Sequence, residues 1–155
     1  MSYQPKINGE PLLDVTFGKR VDKVMTFAGA TANDPGDYDG TGNPATLFNV
    51  SGTVRMRILA KCLVNLAGAN ATVEVGTALT TAGLIALTTA TDIDANEIWH
   101  DVSPDASVEA TTVLTEKVVS QNVIQTVKTA NITAGKILYT CLWYPLSEDA
   151  EVTAA

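Results

Sequence analysis

The stretch TVRMRILAKCLV, residues 53–64, decides how the rest of the chain folds. Read with a period of two, it places apolar side chains on one face and cations on the other. A helix would set these cations into any apolar stripe, so the pattern predicts a long strand with one buried face. At roughly 3.3 Å per residue it spans about 40 Å, enough to cross a whole sheet. The predicted buried face comprises Val54, Met56, Ile58, Ala60, Cys62 and Val64, and the opposite face Arg55, Arg57 and Lys61 with Leu59 and Leu63.

Shorter segments of strand character surround this strand, with turn residues between them and no alternation with long helices. Only 17% of the residues are charged, against roughly a quarter in typical domains, and β-branched threonine and valine are abundant. The sequence therefore predicts an all-β fold, an antiparallel β-sandwich or jelly-roll-like domain, with a small barrel as the alternative. We divide the chain into an extended N-terminal arm (1–20), a single β-sandwich domain (21–147) and a flexible acidic tail (148–155).

Four further stretches bear on how the strands connect. The long strand, the turn NLAGAN (65–70) and a strand at 71–77 together predict a hairpin. Residues 77–90 fit either a short helix or a loop with a small strand, and residues 114–129 predict a strand that bends near 120–122. The stretch KILYTCLWYPL (136–146) is apolar on both faces, which is typical of a central strand or of one that covers an interface.

The charge balance excludes several classes of partner. The formal net charge is −7, and the longest run of cations is Lys19-Arg20, which argues against nucleic-acid binding and against attachment to a membrane surface. The N-terminus has no signal-like apolar segment, and no apolar run is long enough to cross a bilayer, so we expect synthesis in the cytoplasm. Cys62 and Cys141 are expected to be buried free thiols, since a disulfide would require their strands to be neighbours with suitable geometry.

Motifs for catalysis and cofactor binding are sparse. His100 is the only histidine, and we expect a surface or half-buried residue rather than a catalytic base. The sequence has no G-x-S-x-G elbow, Walker loop or zinc-ligand spacing, so we expect no enzyme activity, cofactor, metal or small-molecule substrate. The carboxylates of the loop GATANDPGDYDGTGNP (29–44) could hold calcium, but the loop departs from the EF-hand template and is predicted to be solvated. Trp99 and Trp143 could form a sugar-stacking platform, although large aromatic side chains usually fill cores.

Three segments carry a likeness to a known family: residues 45–90, the stretch TDIDANEIWHD (91–101), and ITAGKILYTCLWYPLS (132–147). In the order of these segments and in their overall residue pattern, they resemble the head decoration, or cement, proteins of tailed bacteriophages. The resemblance implies a non-enzymatic virion structural protein that binds the major capsid protein on the capsid exterior, as a homotrimer, and stabilises the capsid. A tail or fibre component, and a carbohydrate- or cell-surface-binding sandwich, are alternative hypotheses.

Within this interpretation, two groups of apolar residues are candidate contacts. The arm carries too many apolar residues for a solvated tail, so we expect Ile7, Leu12, Leu13 and Phe17 to contact the capsid or a neighbouring subunit. The surplus apolar face of the 136–146 strand (Leu138, Leu142 and Tyr144) is expected to pack between subunits. The binding free energy would come from buried apolar area, multiplied over many copies.

Overall fold

The computed structural model describes residues 18–29, 32–106 and 109–155, together with the backbone of 6–7 and 10–11. It contains twelve strands and one 3₁₀ turn, Ala90–Asp92. The strands are β1 (Lys6–Ile7), β2 (Glu10–Pro11), β3 (Lys19–Phe27), β4 (Ala45–Ser51), β5 (Val54–Ala67), β6 (Thr72–Thr77), β7 (Thr80–Thr89), β8 (Ile98–Trp99), β9 (Glu116–Val119), β10 (Val123–Lys128), β11 (Ala134–Pro145) and β12 (Glu151–Ala154).

Two five-stranded antiparallel sheets confirm the predicted β-sandwich. The front sheet has the order β3-β11-β5-β8, with β9 pairing a second part of β5, and the back sheet has the order β12-β4-β10-β6-β7. β1 and β2 pair only with each other among the described strands. Within the described part of the chain, β6–β7 and β8–β9 are the successive strands from β3 onward that stay in one sheet, and every other connection crosses between sheets. The two sheets are therefore interlocked along the sequence.

The long strand is confirmed as β5, with one correction to its buried face. Alternate residues from Val54 to Cys62 are buried as predicted, but Val64 is 51% exposed and Leu66 takes the inward position instead. The cause is a bulge: Ile137 of β11 pairs with Cys62 and Lys136 pairs with Val64, which leaves Leu63 as an extra residue on β5. The extra residue turns Val64 outward, and a second irregularity between Val64 and Ala67, where three residue steps on β5 face two on β11, brings Leu66 back to the inward side.

The predicted hairpin between the long strand and the strand at 71–77 is wrong. β6 pairs with β10 and β7 in the back sheet, whereas β5 pairs with β11, β8 and β9 in the front sheet. The turn after Ala67 carries the chain from one sheet to the other, with positive φ at Gly68 and Asn70. The hairpin of this region is β6–β7 instead, which settles residues 77–90 as mostly strand.

Of the last three predicted segments, two agree with the structure and the third differs from it. The strand at 114–129 breaks near Ser120–Asn122 as expected, and the break separates β9 in the front sheet from β10 in the back sheet. The stretch 136–146 is a central strand, β11, between β3 and β5. Residues 148–155 were predicted to be a flexible tail, but Glu151–Ala154 form β12, which pairs with β4 and buries Val152. The single inward apolar side chain of this short strand is a weak signal among acidic neighbours.

The core lies between the sheets and includes two polar bridges. The Tyr139 hydroxyl of β11 donates to Gln125 Oε1 of β10 at 2.7 Å, and both residues are fully buried. The indole Nε1–H of Trp99 donates to the Thr88 hydroxyl at 2.9 Å, which again joins the front sheet to the back sheet. In both bridges the buried donor has an acceptor. The bridges therefore fix the position of one sheet over the other without leaving either donor unsatisfied.

Candidate interaction surface

The outward side of the front sheet, hereafter the outer face, combines apolar and cationic side chains. It consists of the outward-pointing residues of β3, β5, β9 and β11, and strand pairing sets their neighbours. Leu142 of β11 pairs with Arg20 of β3 and Arg57 of β5, and Leu138 pairs with Val24 and Lys61. The outer face therefore has a row of apolar side chains along β11, interrupted by Thr140, with one arginine on the β3 side and three cations on the β5 side.

The outer face is positive on a negative protein. Its strand residues include five cations and two carboxylates, giving a local charge of +3 on a chain whose net charge is −7. Such a face attracts a negatively charged partner and repels a positive one. The cations are Arg20, Arg55, Arg57, Lys61 and Lys136, and the carboxylates are Asp22 and Glu116.

On the β3 side, the charges are already paired within the sheet. Arg20 binds Asp22 through two parallel hydrogen bonds of 3.0 and 2.7 Å, and Asp22 also accepts the Thr140 hydroxyl at 2.9 Å. The hydrogen bonds from Arg20 hold the pKa of the Asp22 carboxyl below its usual value. This side of the outer face is electrically neutral and has its geometry fixed.

On the β5 side, two arginines share a single carboxylate. Nε of Arg57 lies 3.0 Å from one oxygen of Glu116, and Nε of Arg55 lies 3.7 Å from the other. The Arg55 guanidinium also stacks over the ring of Tyr144, 4.7 Å from its centroid. These side chains and Leu142 line a shallow cavity of about 220 Å³. Counting the described residues only, two guanidinium groups share one carboxylate, so the cavity has an excess of one positive charge.

The predicted contact residues of the last strand lie on this surface. Leu138, Leu142 and Tyr144 all point outward from β11 and are half-buried within the single chain. Their contact with another subunit stays a prediction. The arm residues Leu12, Leu13 and Phe17, and the side chain of Ile7, lie outside the described residues. The sequence pattern located both arginines on the outward side of β5, but gave no sign of Glu116, which is distant in the chain.

His100 is not the surface or half-buried residue predicted from the sequence. Its side chain is 1% exposed, and its Nε2 lies 2.8 Å from Oδ2 of Asp105. Asp105 also accepts the hydroxyl and the backbone N–H of Thr111, and these hydrogen bonds, that of the hydroxyl above all, hold the pKa of its carboxyl below the usual value. The other ring nitrogen, Nδ1, is buried without a hydrogen-bond partner among the described residues. The pair ties the segment after β8 to the sandwich.

The acidic loop between β3 and β4 is organised by one of its own carboxylates. Asp34 accepts hydrogen bonds from the backbone N–H groups of Ala28, Gly29 and Gly36 at 2.8 to 3.0 Å. Both of its carboxylate oxygens are therefore engaged by the backbone in and beside the loop. A close contact with Asp39 raises the pKa of Asp37. Among the described residues, no group of three or more histidine, cysteine, aspartate or glutamate side chains is placed to hold a metal ion.

Both tryptophans are in the core, which is the position expected of large aromatic side chains. Trp99 is fully buried and Trp143 is 4% exposed, so neither offers an open ring face for stacking on a sugar. Cys62 and Cys141 are free and buried on neighbouring strands. Cys62 pairs with Ile137 and Cys141 pairs with Ile58, so the two thiols do not face each other across the strands.

No protein-family model, curated protein or solved structure matches the chain. Among the described residues, no helix has both the length and the apolar character to span a membrane. The surface of the sandwich, and the residues that form it, are therefore the structural basis for assigning a function.

Proposed function

We propose that the chain is a non-enzymatic virion structural protein, a decoration or cement protein that binds the major capsid protein on the capsid exterior as a homotrimer. The resemblance of residues 45–147 to decoration proteins of tailed bacteriophages is one support. The other support is the outer face, which is the single structural observation behind the proposal. An open sheet face with an apolar row between cations is suited to being covered by another protein surface.

The distribution of side chains on β11 explains why covering this face would be favourable. Leu138, Leu142 and Tyr144 are half-buried in the single chain, so a partner would remove the remaining apolar area from water. The surrounding cations would fix orientation and exclude positively charged surfaces. A contact that buries only these few side chains is weak alone. When the contact is repeated around a closed trimer and over a capsid, the binding free energies add.

The first experiment is the solution mass of the purified protein, measured by light scattering on a sizing column. The proposal expects a mass near three times 16.3 kDa. Assemblies that lengthen with concentration would favour the tail or fibre alternative. A monomer that also fails to bind capsids would contradict the proposal.

The second experiment tests the outer face directly. The virus or prophage that encodes the chain is grown with the gene for this chain disrupted, and its capsids are purified and mixed with wild-type protein, Leu142→Asp or Leu87→Asp. We expect wild type and Leu87→Asp to sediment with capsids as trimers, and Leu142→Asp to lose the trimer, because a carboxylate would be placed in the apolar row. Leu87 is the matched control, since it is 42% exposed on β7 of the back sheet.

Folding of each variant is checked by circular dichroism and thermal melting before the capsid assay. If a folded Leu142→Asp protein keeps the wild-type mass, the β11 row is not the subunit contact. If wild-type protein does not sediment with these capsids at all, the decoration function itself is rejected.

A further inference from the structure

We infer that the outer-face cavity beside Tyr144 binds the acidic, apolar segment 10–17 from the arm of a second copy of this chain. This inference deepens the proposed function and rests on it for the closed trimer. It names the segment that fills the surface and the residues that recognise it. Four observations support it: the charge of the cavity, its apolar floor, the composition of the arm, and the place where the continuously described chain begins.

The cavity has the chemistry of a carboxylate-binding site. Arg55 and Arg57 share the single carboxylate of Glu116, and each arginine side chain is nearly half exposed. A guanidinium has five N–H donors, so the carboxylate of Glu116 uses only part of the donor capacity of the two arginines in the described part of the chain. Arg55 is also held against the Tyr144 ring, so its planar group is ordered before any partner arrives. An incoming carboxylate would meet two positioned guanidinium groups.

The apolar part of the cavity lies directly beside these cations. Leu142 and Tyr144 line it together with both arginines, and Leu138 and Val24 continue the apolar row along the outer face. A partner segment that fits must therefore carry carboxylates close to aliphatic or aromatic side chains. A purely acidic peptide would leave the apolar row exposed, and a purely apolar one would leave the arginines unpaired.

The segment EPLLDVTF, residues 10–17, has this composition. It holds carboxylates at Glu10 and Asp14, no cation, and four apolar side chains between and beyond them: Leu12, Leu13, Val15 and Phe17. The two carboxylates are four residues apart, so an extended segment would separate them by roughly 13 Å. Neighbouring outward positions on β5, such as those of Arg55 and Arg57, are only roughly 7 Å apart. The two carboxylates of the segment are therefore too far apart to bind both arginines at once, so one would enter the cavity and the other would lie toward its rim.

The continuously described chain begins beside this cavity. Gly18 lies so close to Tyr144 that a Cβ on it would be 2.8 Å from Cζ of the tyrosine ring. Next to it, Lys19 pairs with Trp143 at the end of β3. The arm of each copy is therefore joined to the described chain at the edge of its own outer face, where a neighbouring copy would also be placed if outer faces form the subunit contact.

A second copy is the occupant that agrees with a closed trimer. If the arm of each copy binds the outer face of the next, every copy gives one arm and accepts one, and the contact closes into a ring under rotation. The overall charge favours the same arrangement, since a chain of net charge −7 approaches a local charge of +3. An arm bound to its own outer face would fill the cavity and leave no contact between copies.

The test is a charge exchange in the full-length chain. The arm variant carries Glu10→Lys and Asp14→Lys, and the face variant carries Arg55→Glu and Arg57→Glu. Each variant alone places like charges at both partners of the contact, so we expect at least a tenfold lower association constant and a monomer by light scattering. In a one-to-one mixture, basic arms meet acidic faces and acidic arms meet basic faces wherever copies of the two variants are neighbours. A ring of three copies cannot alternate two variants, so at most two of its three contacts are matched. We therefore expect the mixture to associate above the monomer mass, which neither variant does alone, without full recovery of the wild-type association constant.

A third variant distinguishes binding between copies from binding within one copy. This fourfold variant carries all four substitutions in one chain, so its arm and face are matched again and it is expected to form trimers alone. Two results together support exchange between copies: the fourfold variant alone recovers the wild-type trimer mass, and the mixture of the two double variants associates. A mixture that stays monomeric, together with a monomeric fourfold variant whose arm is protected from trypsin, overturns the inference.

The control for charge alone is the pair Lys23→Glu and Lys117→Glu, which changes the net charge by the same amount at strand positions outside the outer face. We expect it to keep the trimer within about twofold of the wild-type association constant. If Arg55→Glu with Arg57→Glu does not fold, Arg55→Gln with Arg57→Gln replaces it, and a wild-type association constant in that folded variant overturns the inference. Capsid sedimentation of wild-type protein is scored separately, so loss of the decoration function is distinguishable from loss of the arm contact.

Discussion

The two sides of β11 carry similar side chains in different surroundings. Inward, Ile137, Tyr139 and Trp143 are almost completely buried between the sheets. Outward, Leu138, Leu142 and Tyr144 keep part of their surface open, between cations. The alternation along one strand thus separates a side that specifies the fold from a side that is available for association. Substitutions at neighbouring positions should separate the two roles.

The largest difference is expected between Ile137→Ala and Leu138→Ala. The first removes a fully buried side chain and leaves a cavity, so the free energy of unfolding should fall by about 2–5 kcal/mol. The second removes a half-buried side chain at a surface that water can refill, so the expected loss is below about 1 kcal/mol. Urea unfolding of both variants measures the difference. Equal losses would contradict the assignment of the two sides.

A smaller difference is expected between Tyr139→Phe and Tyr144→Phe. Tyr139→Phe leaves the buried Oε1 of Gln125 without its donor, which should cost about 1–3 kcal/mol of unfolding free energy. Tyr144 lies on the outer face and its ring, rather than its hydroxyl, contacts Arg55, so its substitution should change stability by less than about 0.5 kcal/mol. Chemical unfolding at neutral pH tests both. A costly Tyr144→Phe would mean that its hydroxyl has a structural role.

The pH dependence of stability is expected to come from the inward thiols. Burial raises the pKa of Cys62 to about 11 and that of Cys141 to about 12, above the usual value near 9. Because the folded-state values are raised, this contribution to stability is complete below about pH 9 and is lost as pH rises toward 11 and 12. The urea midpoint should therefore fall between pH 9 and 11. Burial also raises the pKa of Tyr139, which adds to the slope.

The matched variant for this prediction is Cys62→Ala with Cys141→Ala. It should show a shallower fall of the midpoint over the same pH range, because the contribution of Tyr139 remains. An unchanged slope would mean that the thiols do not titrate differently in the folded and unfolded states.

The sequence predicted the parts of this molecule that depend on alternation. The β class, the outward arginines of β5 and the break near Ser120 follow from side-chain periodicity and local turn residues, and the central position of β11 is one of the two alternatives that its two apolar faces predicted. The bulge at Leu63 was not predictable, because it arises from pairing with β11, about seventy residues away. The hairpin prediction failed for a related reason: a turn can return a chain to the same sheet or carry it to the opposite one.

The candidate surface was predictable only in part. The pattern located Leu142, Tyr144 and both arginines on outward positions, but their joining into one cavity depends on the β5–β11 register and on Glu116 from β9. The burial of His100 was missed because its partner, Asp105, lies in a segment whose proline, serine and acidic residues are typical of exposed loops. Long-range pairing decides such cases, and a single sequence does not contain it.

The crossing of the chain between the sheets has a consequence for how the protein forms. Neither sheet is continuous in sequence, and β3, near the start of the described chain, pairs with β11, near its end. Contacts between residues so far apart in sequence form only after a large loss of chain entropy. Proteins dominated by such contacts fold slowly, on the order of milliseconds to seconds. During synthesis, β3 cannot form its hydrogen bonds with β11 until β11 has been translated. Unpaired strands therefore stay exposed for most of translation, and the sandwich can close only as a single cooperative unit.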